Sequence, residues 1–169
     1  MHTGTSARSS LRNGVWKFVA FIYVHIYDSF PRVYRDLASK NILVDEDLNC
    51  YISDFGLSLL TRGSKYFWAG RERQAEFCSL AEAGTLRYMA PELLEGAVNL
   101  KDCENALKQA DVYALALILW EVANLSHDIA LPPCCHRLPY EQEIGKCFDG
   151  DSVCTVLVEL LRRVDCIIP

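Results

Sequence analysis

The sequence has no long apolar run. A membrane-spanning helix needs about 20 consecutive apolar residues, and the nearest approach, Val15 to Tyr27, contains Lys17 and His25. With Arg8 and Arg12 ahead of it, this stretch has the outline of a signal peptide. No small-residue cleavage site follows, only Asp28-Ser29-Phe30-Pro31, so a buried helix over 15–27 is the expectation. The eight cysteines, at 50, 78, 103, 134, 135, 147, 154 and 166, include no CxxC pair, which removes the zinc-finger signature. A composition 51% hydrophobic does not require a disulfide framework, and reduced thiols are expected. There is no basic excess either. The net charge is -5, and without a Lys/Arg stripe nucleic acid is excluded as a partner. Internal repeats and low-complexity tracts are also absent.

What is present is enough chain, 169 residues, for one domain with a real core. Residues 1–14 (MHTGTSARSSLRNG) are small and polar and read as a disordered or artefactual lead. The organising stretch is Tyr34 to Gly56, YRDLASKNILVDEDLNCYISDFG. Two short apolar runs, 41–44 and 50–53, flank the acidic turn 45–49, which predicts a β-hairpin. Folded about the Asp47/Leu48 boundary, it pairs Ile42 with Ser53, Leu43 with Ile52 and Val44 with Tyr51. Asn41 and Asp54 then meet at the open end, and Asp36 can loop back to the same place. Two carboxylates and a carboxamide at one point suit a divalent cation that prefers oxygen ligands, such as Mg²⁺.

Residues 57–84 lack periodicity and predict a long loop carrying a basic cluster, Arg62, Lys65, Arg71 and Arg73. That cluster reads as a solvated loop, or as a contact for a phosphorylated or acidic partner. Pro91 can open a short helix, Glu92 to Glu95, stopped by Gly96. Lys101 to Lys108 reads as a separate short helix or helical turn. Asp111 to Ala123 is apolar almost all round and predicts a helix buried in the centre of the domain, with Asp111 capping its start and Trp120 in the core. Pro132-Pro133 and Pro139 then break the chain, and Ser152 to Val164 predicts a last amphipathic helix. Cys134-Cys135-His136 with Cys147 or Cys154 has no zinc-site spacing and reads as loop residues.

RDLxxxN, a short hairpin, DFG, GTLRYMAPE and an aspartate opening an apolar helix follow in the order of a protein kinase C-terminal lobe, which the chain resembles. The run GTLRYMAPELLEGAVNLKDCENALKQADVYALALILWE is similar to the transforming-growth-factor-β receptor family, and within it LEGAVNL–DCE–ALKQ resembles the bone morphogenetic protein type II receptors. The match is strongest over 33–123 and diverges over 125–169. It implies an α+β, protein-kinase-like fold: a mostly helical C-terminal lobe, residues 15–169, with a small β-hairpin at the catalytic site.

The resemblance implies roles. Asp36 accepts or orients the substrate hydroxyl proton. Arg35 helps order the activation segment, and Thr85 belongs to the loop that positions the substrate peptide. Asn41 and Asp54 bind Mg²⁺, with Mn²⁺ as the alternative ion, and through it the phosphates of ATP. Phe55 packs beneath the site, and Gly56 lets the loop change direction. Glu92 forms a buried ion pair with a late arginine, for which Arg162 and Arg163 are candidates. Asp111 anchors the catalytic-loop backbone. The implied parent is a receptor serine/threonine kinase at the cytoplasmic face of the plasma membrane, with one span and a ligand-binding ectodomain outside this chain. It would act on a type I receptor within a hetero-oligomer.

Three features depart from the pattern. Tyr34 stands where the family usually has His. Ala38 stands where many serine/threonine kinases carry a lysine that contacts the transferred phosphate. No Gly-rich phosphate loop, β3-type lysine or helix-C glutamate precedes Asp36, so the N-terminal lobe is expected to be missing and the activity of the chain itself to be small. A non-catalytic C-lobe module that binds receptor or signalling partners is the other function consistent with the sequence.

Overall fold

The structure, a computed structural model, describes residues 32–47, 49–76, 80, 83–125 and 136–144. The expected helices over 15–27 and 152–164, the lead at 1–14, and Arg162 and Arg163 lie outside them. Two antiparallel sheets come first. One is the hairpin of β2 (Ile42–Val44) and β3 (Cys50–Ile52). The other has four strands in the order β1-β4-β5-β6: β1 (Arg32–Val33), β4 (Leu59–Arg62), β5 (Lys65–Trp68) and β6 (Arg71–Gln74). Three α-helices follow among the described residues: α1 (Pro91–Leu94), α2 (Cys103–Leu125) and α3 (Glu141–Ile144).

The hairpin forms where expected, but one residue out of register. Ile42 pairs with Ile52, Leu43 with Tyr51 and Val44 with Cys50. The cause is Asp45. Its Oδ1 accepts the backbone N–H groups of Asp47 at 3.0 Å and Asn49 at 2.8 Å. Its Oδ2 accepts Asn49 Nδ2 at 2.9 Å and the Tyr51 hydroxyl at 3.0 Å. Asp45 N–H also donates to Asn49 O at 3.0 Å. The carboxylate therefore closes the turn as a 45–49 pair, as Asp does when its side chain substitutes for a backbone partner, and this moves the fold axis off the 47/48 boundary.

The expected loop at 57–84 is largely sheet. Leu59 pairs with Val33, Thr61 with Tyr66, and Tyr66 with Arg73. Leu59, Thr61 and Tyr66 face inward, whereas all four residues of β6 are exposed. The alternation that marks a strand is thus present in β4 and lost in β6.

The separate helices expected at 101–108 and 111–123 are one continuous 23-residue helix, α2. No proline or glycine interrupts 103–125, and Asp111 sits in its interior rather than at a cap. Its buried residues, Cys103, Leu107, Ala110, Asp111, Ala114, Leu115, Ile118 and Glu121, recur every three or four positions and so form one face. The opposite face is not buried, contrary to a helix enclosed all round: Trp120 is 45% exposed, with Val112, Val122 and Leu125 also open.

Two core clusters sit side by side along α2. One joins Val33, Leu59 and Tyr66 of the four-stranded sheet to Met89, Leu93, Cys103 and Leu107. The other joins Tyr34, Leu37, Ala38 and Tyr88 to Ala114, Leu115 and Ile118. Pro91 occupies the first turn of α1 and Gly96 beyond it has φ +75°, the start and stop that the sequence predicts. No helix among the described residues is long and apolar enough to cross a membrane.

Candidate active site

Asp36 is the centre of the site and is buried, at 8% exposure. Its Oδ1 accepts the Thr85 hydroxyl at 2.5 Å, and its Oδ2 accepts Asn41 Nδ2 at 3.0 Å. Asn41 Nδ2 also donates to the Asp36 carbonyl at 2.9 Å. The turn Ser39–Asn41 returns the chain to Asp36, so one short loop holds acid and amide in contact.

Asp111 fixes that loop from below. Its Oδ2 accepts the N–H of Tyr34 at 2.6 Å and its Oδ1 the N–H of Arg35 at 2.8 Å. Burial pushes the Asp111 carboxyl up to about 6. The two N–H donors and the Arg35 guanidinium pull the other way, because they favour the ionised form. Arg35 adopts a left-handed backbone, φ 72°, and its Nη2 donates to the carbonyl of Leu80 at 2.8 Å. The loop that carries Asp36 is thereby tied to the segment that precedes Thr85. Gly84, at φ +129°, makes the approach possible: a Cβ there would stand 2.7 Å from the Arg35 carbonyl oxygen.

Asp54 stands outside this hydrogen-bonded group. The register shift places Asn41 opposite Ser53, whose N–H and hydroxyl both reach the Asn41 carbonyl, at 2.8 and 3.0 Å. Asp54 is exposed and left-handed, φ 62°, with Oδ1 accepting the Gly56 N–H at 3.3 Å. The change of direction assigned to Gly56 therefore belongs to Asp54, and Gly56 contributes the N–H. Phe55 does not pack beneath the site but is 56% exposed, with its ring edge-on to Tyr34 at 5.3 Å. The Tyr34 hydroxyl donates to the carbonyls of Ser53 and Asp54, the latter at 3.0 Å. Burial, then repulsion from Asp36 and Asp54, raises its pKa to about 12, so it remains a donor.

Asn41 spends its amide N–H groups on Asp36, which leaves its oxygen as the atom available to a cation. Asp54 has a carboxylate oxygen open to solvent. Two such ligands fit an ion that takes the rest of its shell from phosphates and water. Among the described residues no group of three or more His, Cys, Asp or Glu is placed to hold a metal ion.

Three connections have no motif behind them. The Tyr88 hydroxyl donates to Glu121 Oε1 at 2.6 Å and pairs with Ser39 Oγ at 2.8 Å. His136 Nε2 meets Glu121 Oε2 at 3.0 Å, so the histidine of the cysteine-rich stretch belongs to a carboxylate. Arg87, buried, donates to the Pro139 carbonyl at 2.5 Å. A buried glutamate in an apolar helix, Glu121, was the one signal of this network in the sequence. Glu92 is half-buried, and no ion pair to it occurs among the described residues.

The protein kinase domain family model matches residues 8–130. The chain belongs to the protein kinase family. This kinase chain is 40% identical over 136 residues to the anti-Muellerian hormone type-2 receptor of Homo sapiens, covering 77% of the chain and 23% of that receptor. It is 40% identical over 130 residues to the activin receptor type-2A of Homo sapiens, with the same coverage, 77% and 23%. The TGF-beta receptor type-2 of Gallus gallus is 46% identical over 94 residues, 56% of the chain and 15% of the receptor. The kinase chain thus spans about a quarter or less of the length of these relatives. All three are receptors of the TGF-β family, the family that residues 84–121 resemble.

Proposed function

We propose that this chain carries the lower half of the catalytic centre of a receptor serine/threonine kinase. In this reading Asp36 orients the attacking Ser or Thr hydroxyl and takes up its proton. Asn41 and Asp54 would hold Mg²⁺, which neutralises charge on the ATP phosphates when bound. Arg35 couples the catalytic loop to the activation segment, and Thr85 and Gly84 set the floor on which the substrate peptide lies. Asp111 keeps the loop from shifting, which matters because phosphoryl transfer depends on positioning and charge more than on covalent help. The whole protein would phosphorylate a type I receptor in a hetero-oligomer at the cytoplasmic face of the plasma membrane.

The observation that carries the proposal is the Asp36 carboxylate held between a hydroxyl and an amide on a loop pinned by Asp111. Transfer of labelled phosphate from Mg-ATP to a type I receptor kinase domain tests it. Transfer abolished by Asp36→Ala supports it, and transfer unchanged by that substitution refutes it.

A second reading is a non-catalytic module that binds a receptor or signalling partner. Its support is the apolar surface beside the site, where Leu43, Val44, Tyr51 and Phe55 are each about half exposed or more, from 49% to 59%. Capture of a type I receptor without any Mg-ATP binding distinguishes this module from the enzyme.

A further inference from the structure

We propose that β6 is a docking edge for an extended acidic peptide, which joins the four-stranded sheet as a further strand with carboxylates opposite Arg71 and Arg73. The strand order β1-β4-β5-β6 leaves β6 on the outside. Ala69 and Gly70 join β5 to β6, both left-handed at φ 50° and 73°, as a two-residue hairpin turn requires. At the other end of the ladder the Ala75 N–H donates to the Ser64 carbonyl at 2.9 Å. Bonded and non-bonded pairs alternate along an antiparallel ladder. Tyr66–Arg73 and Trp68–Arg71 are therefore bonded pairs, and Phe67–Glu72 and Lys65–Gln74 are not. The backbone N–H and C=O groups of Glu72 and Gln74 consequently point off the edge, away from β5.

The side chains make this edge basic. All four residues of β6 are exposed. Glu72 is drawn back onto β5 by its ion pair with Lys65, and Gln74 Nε2 donates to the Ser64 carbonyl at 3.0 Å. Arg71 and Arg73 have no such partner among the described residues. They share one face of the sheet, with their cross-strand neighbours Trp68 and Tyr66.

A second copy of this chain does not suit the edge. Outward-turned residues must meet outward-turned residues. The two antiparallel registers with most overlap then set Glu72 on Glu72 with Arg71 on Arg73, or set Arg73 on Arg73, and like charges directly opposite are destabilising. A strand with Asp or Glu at every second position instead places a carboxylate beside each arginine, whose planar fork matches that group. The outward backbone groups of Glu72 and Gln74 supply the hydrogen bonds that strand addition needs. No residue of the Asp36 site lies on β6, so docking here requires no catalysis.

The test is the fluorescence anisotropy of a labelled Thr-Asp-Thr-Asp-Thr-Asp-Thr peptide titrated with the full chain. Binding is expected, weakened about fivefold in Arg71→Gln/Arg73→Gln and at least as much when Asn replaces Asp in the peptide. Thermal melting of the arginine variant should be unchanged. Glu72→Pro removes an outward N–H and keeps the bonds to β5, since an edge strand accepts proline where its N–H faces solvent. It should bind more weakly than Glu72→Ala, which also releases Lys65 but retains the N–H. Exchange of the Glu72 and Gln74 amides should slow in the bound chain. Equal affinity of the unmodified chain and the arginine variant, or for the Asp and Asn peptides, overturns the proposal. Equal binding by Glu72→Pro and Glu72→Ala with no slowing of those amides overturns it too, because the peptide would then touch side chains alone. No peptide binding by the unmodified chain also overturns it, and self-association abolished by Glu72→Pro would in that case give the edge to a second copy.

Discussion

Thr85 donates its hydroxyl to Asp36, 49 positions earlier in the sequence, at 2.5 Å. The contact joins the Asp36 loop to the segment that carries Gly84 and Thr85, and it makes a threonine hydroxyl a direct neighbour of the carboxylate proposed to orient the substrate. Thr85→Val keeps the shape and removes the donor. It should lower stability by about 1–2 kcal/mol, because Asp36 is left with an under-satisfied oxygen in a buried setting. Thr85→Ser should restore most of the loss. Urea unfolding of the three proteins measures both.

Gly84 should tolerate no side chain. The left-handed φ of +129° and the 2.7 Å separation from the Arg35 carbonyl both oppose a Cβ. Gly84→Ala is expected to cost about 3 kcal/mol from backbone strain and overpacking together. Gly63, also at positive φ but with nothing within 4 Å, is the control. Gly63→Ala should cost clearly less in the same unfolding experiment.

Tyr34→Phe removes the hydroxyl that reaches the Ser53 and Asp54 carbonyls and keeps the ring against Phe55. A loss of about 1 kcal/mol is expected. Amide exchange should quicken in 53–56 and remain unchanged in β4. Uniform quickening would show that the hydroxyl supports the whole fold rather than the Asp54 turn.

Asp111 gives a pH signature. Its folded pKa, raised by burial to about 6 from an ordinary 3.8, means that the folded chain holds this proton more tightly than the unfolded chain. The resulting stability is full below the unfolded value and is lost as pH rises through the folded one. Between pH 4 and 7 the native chain should therefore lose roughly 2 kcal/mol relative to Asp111→Asn, which cannot titrate. Denaturant midpoints of both proteins across that range supply the comparison. Parallel curves would place the Asp111 pKa near its ordinary value.

The parts of the site that were legible in the sequence were those fixed by short-range geometry. Asp36 and Asn41 lie five residues apart on one loop, and their contact needs only the turn between them. The hairpin was legible too, but its register was not. Apolar spacing gives two strands and a turn, whereas the one-residue shift comes from Asp45 capturing Asn49 and Tyr51 through its side chain.

The four-stranded sheet was illegible for a different reason. In β6, Arg-Glu-Arg-Gln carries no buried position, so the strand exists through backbone pairing to β5 and leaves no hydrophobic trace. α2 was divided at Asp111 because an aspartate before an apolar run resembles a cap. Its carboxylate instead leaves the helix to serve the backbone of Tyr34 and Arg35, a partnership 76 and 77 residues distant. The link from Ser39 through Tyr88 to Glu121 and His136 was unreadable because nothing local connects those four positions.

α2 also sets how the molecule comes apart. Cys103, Leu107 and Ala110 belong to one apolar cluster and Ala114, Leu115 and Ile118 to the other, with Asp111 at the join. A rod of 23 residues is about 35 Å long, and both clusters hang on it as loads on a single beam. A break near 111 would loosen the four-stranded sheet, the hairpin and the Asp36 loop together, since all three pack on or bond to this stretch. A proton gained or lost at Asp111 therefore acts where the two clusters meet.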